Sequence, residues 1–202
     1  MKIDLSGAVG PVRAAMMAAA EKSSVRRLNM YADEIRCGPG CASCCSRMIY
    51  VTVAEALVVL GSLRKSGNWQ EVKKRCLEQK ATAYASSPVS WFKMNIPCPV
   101  LRPEGKTCSA YEVRPALCST HFVRSEPSAC DPWDPGSAPY SPVQMDDILD
   151  EFKKDLAAGL DGFGVLAYRM PMPVALLFAE RVGIADGITL SEAVRIMRTE
   201  LP

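Results

Sequence analysis

The sequence contains one histidine, His121, among 202 residues. It has no Gly-x-Ser-x-Gly or His-Glu-x-x-His motif, no paired-carboxylate signature and no glycine-rich phosphate loop. The absence of these motifs, and the single histidine, give no indication of four kinds of chemistry that depend on them: those of serine hydrolases, zinc proteases, Cys–His proteases and P-loop proteins. The adjacent acids Asp146 and Asp147 are better explained as the first turn of a helix, where negative charge is stabilising.

The chain also lacks an apolar run of about 18 residues, so we expect no membrane span. The apolar stretch 14–20 is short and leads directly into Glu21-Lys22, which is not typical of a signal peptide. The net charge is only +2, and the basic clusters are short and lie beside acidic residues, as on solvated helix faces. We therefore expect a cytoplasmic protein without a nucleic-acid or membrane partner, although a protein partner is compatible with the sequence.

Cysteine is what the sequence does have, and four thiols fall in the segment Cys37-Gly-Pro-Gly-Cys41-Ala-Ser-Cys44-Cys45. Glycine on both sides of Pro39 allows the backbone to turn back, so that the thiols converge. Nine cysteines are an odd count and fall below the share typical of disulfide scaffolds, about 8–10%. Because soft thiolates select zinc, Cu(I) or iron–sulfur clusters, the spacing predicts a metal site. A second group follows downstream: Cys98, Cys108, Cys118 and Cys130.

Helix signals surround these cysteines. Pro11 suits the first turn of an alanine-rich helix that ends near residue 31, after a loose leader at 1–9. Thr52 and Glu55 form a capping box for an apolar helix that stops near Gly67. Asn68 and Glu71 repeat that signal for a helix to about residue 85, and a short β-leaning connection, 47–51, precedes the first box.

The C-terminal part predicts further helices. The cap, proline and glutamine of residues 141–144 favour a helix that ends at Gly159. Residues 165–170 fit a short strand or loop, and 174–182 a helix. The sequence Thr-Leu-Ser-Glu at 189–192 is a capping signal and predicts a last helix. The predicted fold is mainly α, an irregular helical domain with a cysteine-rich, proline-rich metal-binding lobe.

Proline distinguishes that lobe, since ten of the fifteen prolines lie in residues 86–142. Long regular elements are improbable there, and a coil of this length needs another source of order. Ligation of its four cysteines to metal would provide it. We therefore predict a single domain, 1–202, in which the metal-binding core at 37–130 lies between flanking helices at 11–31 and 142–200.

Two segments complete the pattern: Cys98-Pro-Val-Leu101 and Cys108-Ser-Ala-Tyr-Glu-Val-Arg-Pro-Ala-Leu-Cys118. Together with the upstream cluster, they resemble a family of bacterial cysteine-cluster proteins described as zinc- or iron-chelating domains. The resemblance covers residues 37 to 130. Val100 replaces the family's usual phenylalanine, and Ser119 replaces an arginine that commonly follows the cysteine. The resemblance implies eight metal-linked cysteines: Cys37, Cys41, Cys44, Cys45, Cys98, Cys108, Cys118 and Cys130.

Three other side chains are candidates for supporting the metal ligands without binding the metal themselves. Arg114 would compensate the charge of several thiolates, the alternative being a surface ion pair with Glu112 or Glu104. Tyr111 is expected to pack in the core and to form a hydrogen bond through its hydroxyl group. His121, three residues after Cys118, is a possible ligand but fits a supporting or packing position better. The ninth cysteine, Cys76, is predicted to be a buried structural thiol on a helix.

The cofactor is either an iron–sulfur cluster or Zn²⁺. Structural zinc usually draws on cysteine pairs two to four residues apart, which only the upstream cluster provides. Clustered thiols combined with distant ones, and a proline beside a cysteine, favour iron–sulfur ligation. As neighbours, Cys44 and Cys45 are expected to point in different directions and to serve different metals or different atoms of one cluster.

Three functions fit these residues. The first is a cytoplasmic metal-binding protein with a structural, chelating or redox role. The second is a cluster-dependent enzyme of redox chemistry or methyl transfer on a protein or small substrate. The spacing Cys37-x3-Cys41-x2-Cys44 resembles that of radical S-adenosylmethionine enzymes, but their β/α barrel is not indicated here. The third is a partner-binding scaffold in which metal merely folds the coil. A pocket beside the cluster would favour the enzyme.

Overall fold

A computed structural model describes residues 5–38, 40–104, 107–130, 141–143, 145–160, 166–184 and 195. In this part of the chain the fold is mainly helical, with one two-stranded sheet, as the sequence predicts. The helices are α1 (Leu5–Met30), α2 (Val53–Lys65), α3 (Trp69–Ala85), α4 (Pro88–Lys93), α5 (Ala116–Ser119), α6 (Asp146–Gly159) and α7 (Met172–Ile184). The strands are β1 (Tyr50–Thr52) and β2 (Arg169–Pro171). None of the described helices is long and apolar enough to span a membrane.

Helix α2 lies at the centre, packed between α1 and α7. All residues from Val53 to Leu60 are buried, because helices cover this segment on several sides. The predicted capping box is confirmed: Thr52 Oγ1 accepts from the Glu55 amide at 3.1 Å, and Glu55 Oε2 accepts from the Thr52 amide at 2.9 Å. The antiparallel pair β1–β2, with Val51 opposite Met170, joins the start of α2 to the start of α7.

Helix α1 begins earlier than the sequence suggests. We expected 1–9 to be a loose leader and Pro11 to open the helix, but the helix begins at Leu5 and contains Pro11. A proline inside a helix removes one backbone hydrogen bond, and packing overrides that cost here. The Cβ of Pro11 lies 3.5 Å from the position that a Cβ would take on Gly159 of α6, so the two helices approach closely at this point.

Helix α3 has the predicted bounds but not the predicted cap. The Asn68 side chain makes no capping bond and instead donates to Ser66 Oγ at 2.9 Å. The helix start is fixed by tertiary contact: buried Trp69 donates its indole N–H to Glu180 of α7 at 2.7 Å. Glu180 also pairs with Lys73 at 2.8 Å, so one carboxylate ties α7 to two turns of α3.

The predicted cap at residues 141–144 is wrong. Helix α6 begins at Asp146, because residues before it are drawn into extended backbone pairing. Pro142 forms a β-bridge with Val123, and the Val143 amide donates to the carbonyl of Phe122 at 2.8 Å. The predicted end of this helix at Gly159 is confirmed.

Elsewhere the expected elements are present. Strand β2 and helix α7 occupy the predicted positions near 165–170 and 174–182. Between residues 86 and 142, the described residues form only α4, α5, two 3-10 turns and isolated bridges, as the prolines predict. Of the helix expected from residue 189, only Arg195 lies among the described residues, and its backbone is helical.

Candidate metal centre

The upstream cysteines lie on two successive turns. The Cys41 amide donates to the Gly38 carbonyl at 3.0 Å, and Gly40 has a positive φ of 87°, a conformation that favours glycine. The 3-10 turn Ser43–Ser46 then carries Cys44 and Cys45. The segment thus turns back on itself, as predicted.

A short hairpin holds the next two thiols. The bridge between Leu101 and Cys108 and the bond from the Ser109 amide to the Val100 carbonyl, at 2.9 Å, close this hairpin. The Cys98 amide donates to the carbonyl of Cys45 at 2.7 Å. One backbone hydrogen bond therefore joins the two cysteine groups that lie more than fifty residues apart in the chain.

Helix α3 supports the irregular segment that carries Cys98. Arg75 Nε donates to the Pro99 carbonyl and Gln79 Nε2 donates to the Pro97 carbonyl, each at 2.9 Å. Arg75 and Gln79 are four residues apart and therefore lie on the same face of the helix. Sequence reasoning missed both residues.

Cys118 lies on the short helix α5, one turn after Pro115, as expected. The Cys118 amide donates to the Pro115 carbonyl at 2.9 Å. The first amide of this helix, Ala116, donates to Glu55 Oε1 at 3.1 Å. Glu55 is only 4% exposed, so the carboxylate of the α2 capping box also fixes the start of α5. The sequence indicates the capping function of Glu55 but not this second contact.

Cys37 and Cys130, at the two ends of the cysteine-containing segment, are held by separate contacts. Cys37 Sγ accepts a hydrogen bond from the Val123 amide at 3.2 Å. Cys130 ends the 3-10 turn Pro127–Cys130, which contacts the turn that bears Cys44 and Cys45. Cys130 is buried, at 3% exposure.

A cavity of about 250 Å³ lies where these segments meet. Six of the eight predicted ligands line it, and the two that do not are Cys37 and Cys130. In the described part of the chain, no three His, Cys, Asp or Glu side chains are grouped closely enough for a formed metal-ion site. The thiols thus surround a space and do not meet at a point. The thiols that line this central cavity are Cys41, Cys44, Cys45, Cys98, Cys108 and Cys118.

Cys44 and Cys45 interact directly. A hydrogen bond from the Cys45 thiol lowers the pKa of Cys44 to about 7, against the effect of burial and with help from Arg47. The same bond, together with burial, raises the pKa of Cys45. Both side chains line the central cavity, and Cys44 also lines a second cleft that Cys45 does not reach. That the two thiols serve different metals or different atoms of one cluster stays a prediction.

The electrostatic influences among the thiols divide them into two groups. Burial raises the pKa of Cys130 to about 11, and the neighbouring charges that add to this effect come from Cys44, Cys37 and Cys41. Burial also raises the pKa of Cys118, and there the added charges come from Cys98, Cys44 and Cys108. Cys44 contributes to both groups, because it lies between them with its neighbour Cys45.

The arginine between the two downstream cysteines faces the thiols. Arg114 lines the central cavity, and its charge opposes the burial that raises the pKa of Cys108 and of Cys118. Its guanidinium stacks on the ring of Tyr111 at 4.2 Å. Among the described residues no ion pair joins Arg114 to Glu104 or Glu112, the predicted alternative.

Tyr111 and His121 occupy different positions. Tyr111 is 41% exposed and supports Arg114, so the expected core packing is wrong. His121 lies with Cys44 and Cys118 on the wall of a second, open cleft of about 880 Å³. Burial and the charge of Arg47 lower the pKa of His121, so the imidazole is neutral at pH 7.

The other positions discussed in the sequence analysis, Cys76, Val100 and Ser119, are all buried. Cys76 is fully buried on α3, in agreement with a structural thiol, and burial raises its pKa with a smaller contribution from the charge of Cys98. Val100 is buried at 1% exposure beside the central cavity. Ser119 is fully buried and donates to the Ala116 carbonyl at 3.1 Å, so this position holds no surface charge.

Comparison with known proteins gives a match to a family model. Residues 36–133 match the family model CxxCxxCC, described as a putative zinc- or iron-chelating domain. The matched segment contains all eight cysteines described above and the side chains of Arg114, Tyr111 and His121. No curated protein and no solved structure matches the chain.

Proposed function

From the premise that this chain belongs, through residues 36–133, to the CxxCxxCC family of zinc- or iron-chelating domains, we propose that it is a cytoplasmic iron–sulfur protein. Its cluster would occupy the central cavity. The proposed ligands in that cavity are Cys45, Cys98, Cys108 and Cys118, and the second group, Cys37, Cys41, Cys44 and Cys130, completes the centre. A structural, chelating or redox role follows from thiolate ligation, and all nine cysteines are free thiols, which suits a reducing compartment.

The size of the central cavity is the observation that favours a cluster over a single ion. Zinc bound by four thiolates lies about 2.3 Å from each sulfur, so a closed zinc site leaves no space between its ligands. Here six thiols are arranged around about 250 Å³. An iron–sulfur cluster places several iron and sulfide atoms between the cysteine sulfurs and fits such a space better.

The charges around the cavity support ligation by several thiolates. A thiol must lose its proton to bind metal, and burial alone opposes this step. Arg114 and Arg47 both lower the pKa of Cys44, so the protein supplies positive charge where negative charge would collect. Fixed cations near a cluster also tune its reduction potential, which is how a redox role would be set.

The experiment is anaerobic purification with ample iron, followed by metal analysis, absorption spectroscopy and an assay for acid-labile sulfide. We expect brown protein with sulfide-to-iron charge-transfer absorption. Zinc competes for soft thiolate sites during aerobic production, so the anaerobic step is essential. Colourless protein with stoichiometric zinc, obtained under these conditions, would refute the iron–sulfur proposal and leave zinc as the metal.

A cluster-dependent enzyme, for redox chemistry or methyl transfer, is the second candidate. It is favoured by the open cleft of about 880 Å³ that reaches Cys44 and Cys118, because a purely structural centre needs no access from solvent. The two functions differ in one measurable respect: only an enzyme requires a small molecule to bind in that cleft.

A further inference from the structure

The open cleft that reaches Cys44 and Cys118 has two positively charged side chains, Arg47 and Arg169, on its wall. These arginines come from different parts of the fold, since Arg47 follows the upstream cysteine turn and Arg169 begins β2. Among the described residues that line the cleft, none is acidic. The described wall of the cleft therefore carries positive charge.

The rest of the wall is largely apolar. Met48, Val89, Phe92 and Leu117 line it together with the arginines, and the Arg47 guanidinium lies 4.9 Å from the centre of the Phe92 ring. Stacking on an aromatic ring uses the face of a guanidinium, whereas its N–H donors lie in the plane, at the edge. Ligand sites commonly combine such an apolar wall with a few fixed polar groups.

Arg169 is held in place by the fold. Its Nη2 donates to the Tyr50 carbonyl at 3.1 Å, across the β1–β2 pair. This bond uses one of the five N–H donors of the guanidinium, and an arginine with donors remaining binds carboxylates in a bidentate manner.

We propose that this cleft binds a small organic carboxylate with a flat apolar body, its carboxylate on Arg169 and Arg47 and its body against Phe92 and Leu117. Such a ligand would lie beside the metal centre. The inference rests on the proposed function in one respect: the metal centre takes up the thiolate charge of Cys44 and of Cys118, which would otherwise repel the anion.

The test is calorimetric titration of the anaerobically purified protein with naphthalene-2-carboxylate and with its neutral amide. We expect the carboxylate to bind about tenfold more tightly than the amide. The Arg169→Gln variant should lose that preference, whereas Arg64→Gln should retain it, because Arg64 is exposed on α2 and lies outside the cleft. Equal binding of acid and amide by the unmodified protein would overturn the proposal.

Two further variants keep the test independent of folding. Val89 is 64% exposed at the cleft, so a charge at this position should be tolerated. Val89→Lys should strengthen and Val89→Glu weaken carboxylate binding, each by about threefold at low salt. Identical affinities of these two variants would contradict the proposed location.

Inorganic phosphate provides the last arm of the experiment. It should bind more weakly than the naphthoate, because it cannot use the apolar wall, and equal binding would overturn the assignment of an apolar ligand. Metal content measured on the same samples separates the two proposals. Protein that holds a cluster but shows no carboxylate preference refutes this inference alone, and protein without metal refutes the proposed function.

Discussion

Glu55 and Ala116 are joined by a hydrogen bond of 3.1 Å between the Glu55 carboxylate and the Ala116 amide, 61 residues apart in the chain. The same carboxylate accepts from the amide and the hydroxyl of Thr52 at 2.9 and 3.0 Å. One buried acid therefore closes the N-terminus of the central helix α2 and fixes the helical turn that carries Cys118. The hydrophobic core and the metal centre share this contact.

Replacement of Glu55 should weaken both the hydrophobic core and the metal centre. Glu55→Ala leaves the buried Ala116 amide without its acceptor, which costs about 1–3 kcal/mol of unfolding free energy. Glu55→Gln keeps one acceptor oxygen but presents an amide to the Thr52 N–H, so its loss should be smaller. Urea denaturation measures the stability, and metal analysis of the same samples reports on the Cys118 turn.

Glu78→Gln is the matched control, because Glu78 is an exposed acid on α3. It should leave both stability and metal content unchanged. Unchanged metal content in Glu55→Ala, at a temperature where the variant is folded, would show that the contact does not position Cys118.

The capping box at Thr52 could be predicted because its signal is local. Its partners lie three residues apart, and the hydrogen bonds follow from that spacing. The contact with Ala116 had no such signal, since it depends on how α5 packs against α2. The same contrast holds at Asn68, which has the local sequence pattern of a cap but makes no capping bond. The start of that helix is fixed by a tertiary contact, from Trp69 to Glu180.

The candidate site divides in the same way. The cysteine spacing and the resemblance predicted eight ligand thiols, six of which line the central cavity, and the prolines predicted the short elements around them. The hydrogen bonds from Arg75 and Gln79 to proline carbonyls could not be predicted, because any exposed polar pair on a helix gives the same sequence pattern. That Cys44 and Cys45 share the wall of one cavity could not be predicted either, because it depends on the 3-10 turn that carries both residues.

The support that α3 gives to Cys98 leads to a kinetic prediction. In the double variant Arg75→Ala, Gln79→Ala, the carbonyls of Pro97 and Pro99 lose their donors, so the segment that carries Cys98 opens more often. We expect a chelator to remove metal several times faster, and the absorption of the metal–chelator complex measures the rate. Lys74→Ala, an exposed change on the same helix, should leave the rate as it is. Identical rates for all three proteins would mean that the two bonds do not hold Cys98 in place.

The ion pair between Arg26 of α1 and Asp147 of α6 predicts a pH dependence. The hydrogen bond to Arg26 lowers the pKa of Asp147 to about 2, below the value of about 3.9 in an unfolded chain. The folded state therefore binds this proton less readily, so the contribution of Asp147 to stability is present above about pH 4 and is lost between about pH 4 and pH 2.

Thermal unfolding of the unmodified protein and of Asp147→Asn tests this dependence. The difference between their midpoints should be constant near neutral pH and should shrink below about pH 4. High salt should reduce it as well, because Asp147 is exposed. A difference that grows on acidification would contradict the assigned direction.

Metal should order the proline-rich segment. The described residues between 86 and 130 contain only short elements, so much of the free energy of folding there would come from ligation. After chelation we expect glutamyl endopeptidase to cleave after exposed Glu104, in the turn between Cys98 and Cys108, while α2 and α7 stay intact. Mass spectrometry of the fragments locates the cuts. Equal protection of the bond after Glu104 with and without metal would show that the segment folds without ligation.

The ligand assignment predicts a difference between cysteines. Cys41→Ser and Cys108→Ser remove thiols that line the central cavity, so both should lower the metal content and the charge-transfer absorption. Cys76→Ser removes a thiol that is buried on α3 and lies outside that cavity, and it should change neither. The comparison is demanding because Cys76 is close enough to Cys98 for the charge of Cys98 to raise its pKa. Metal analysis and spectra of the three variants, purified anaerobically in parallel, decide the matter. Equal metal loss in all three would mean that the loss comes from destabilisation of the fold, and the assignment of Cys41 and Cys108 as ligands would then fail.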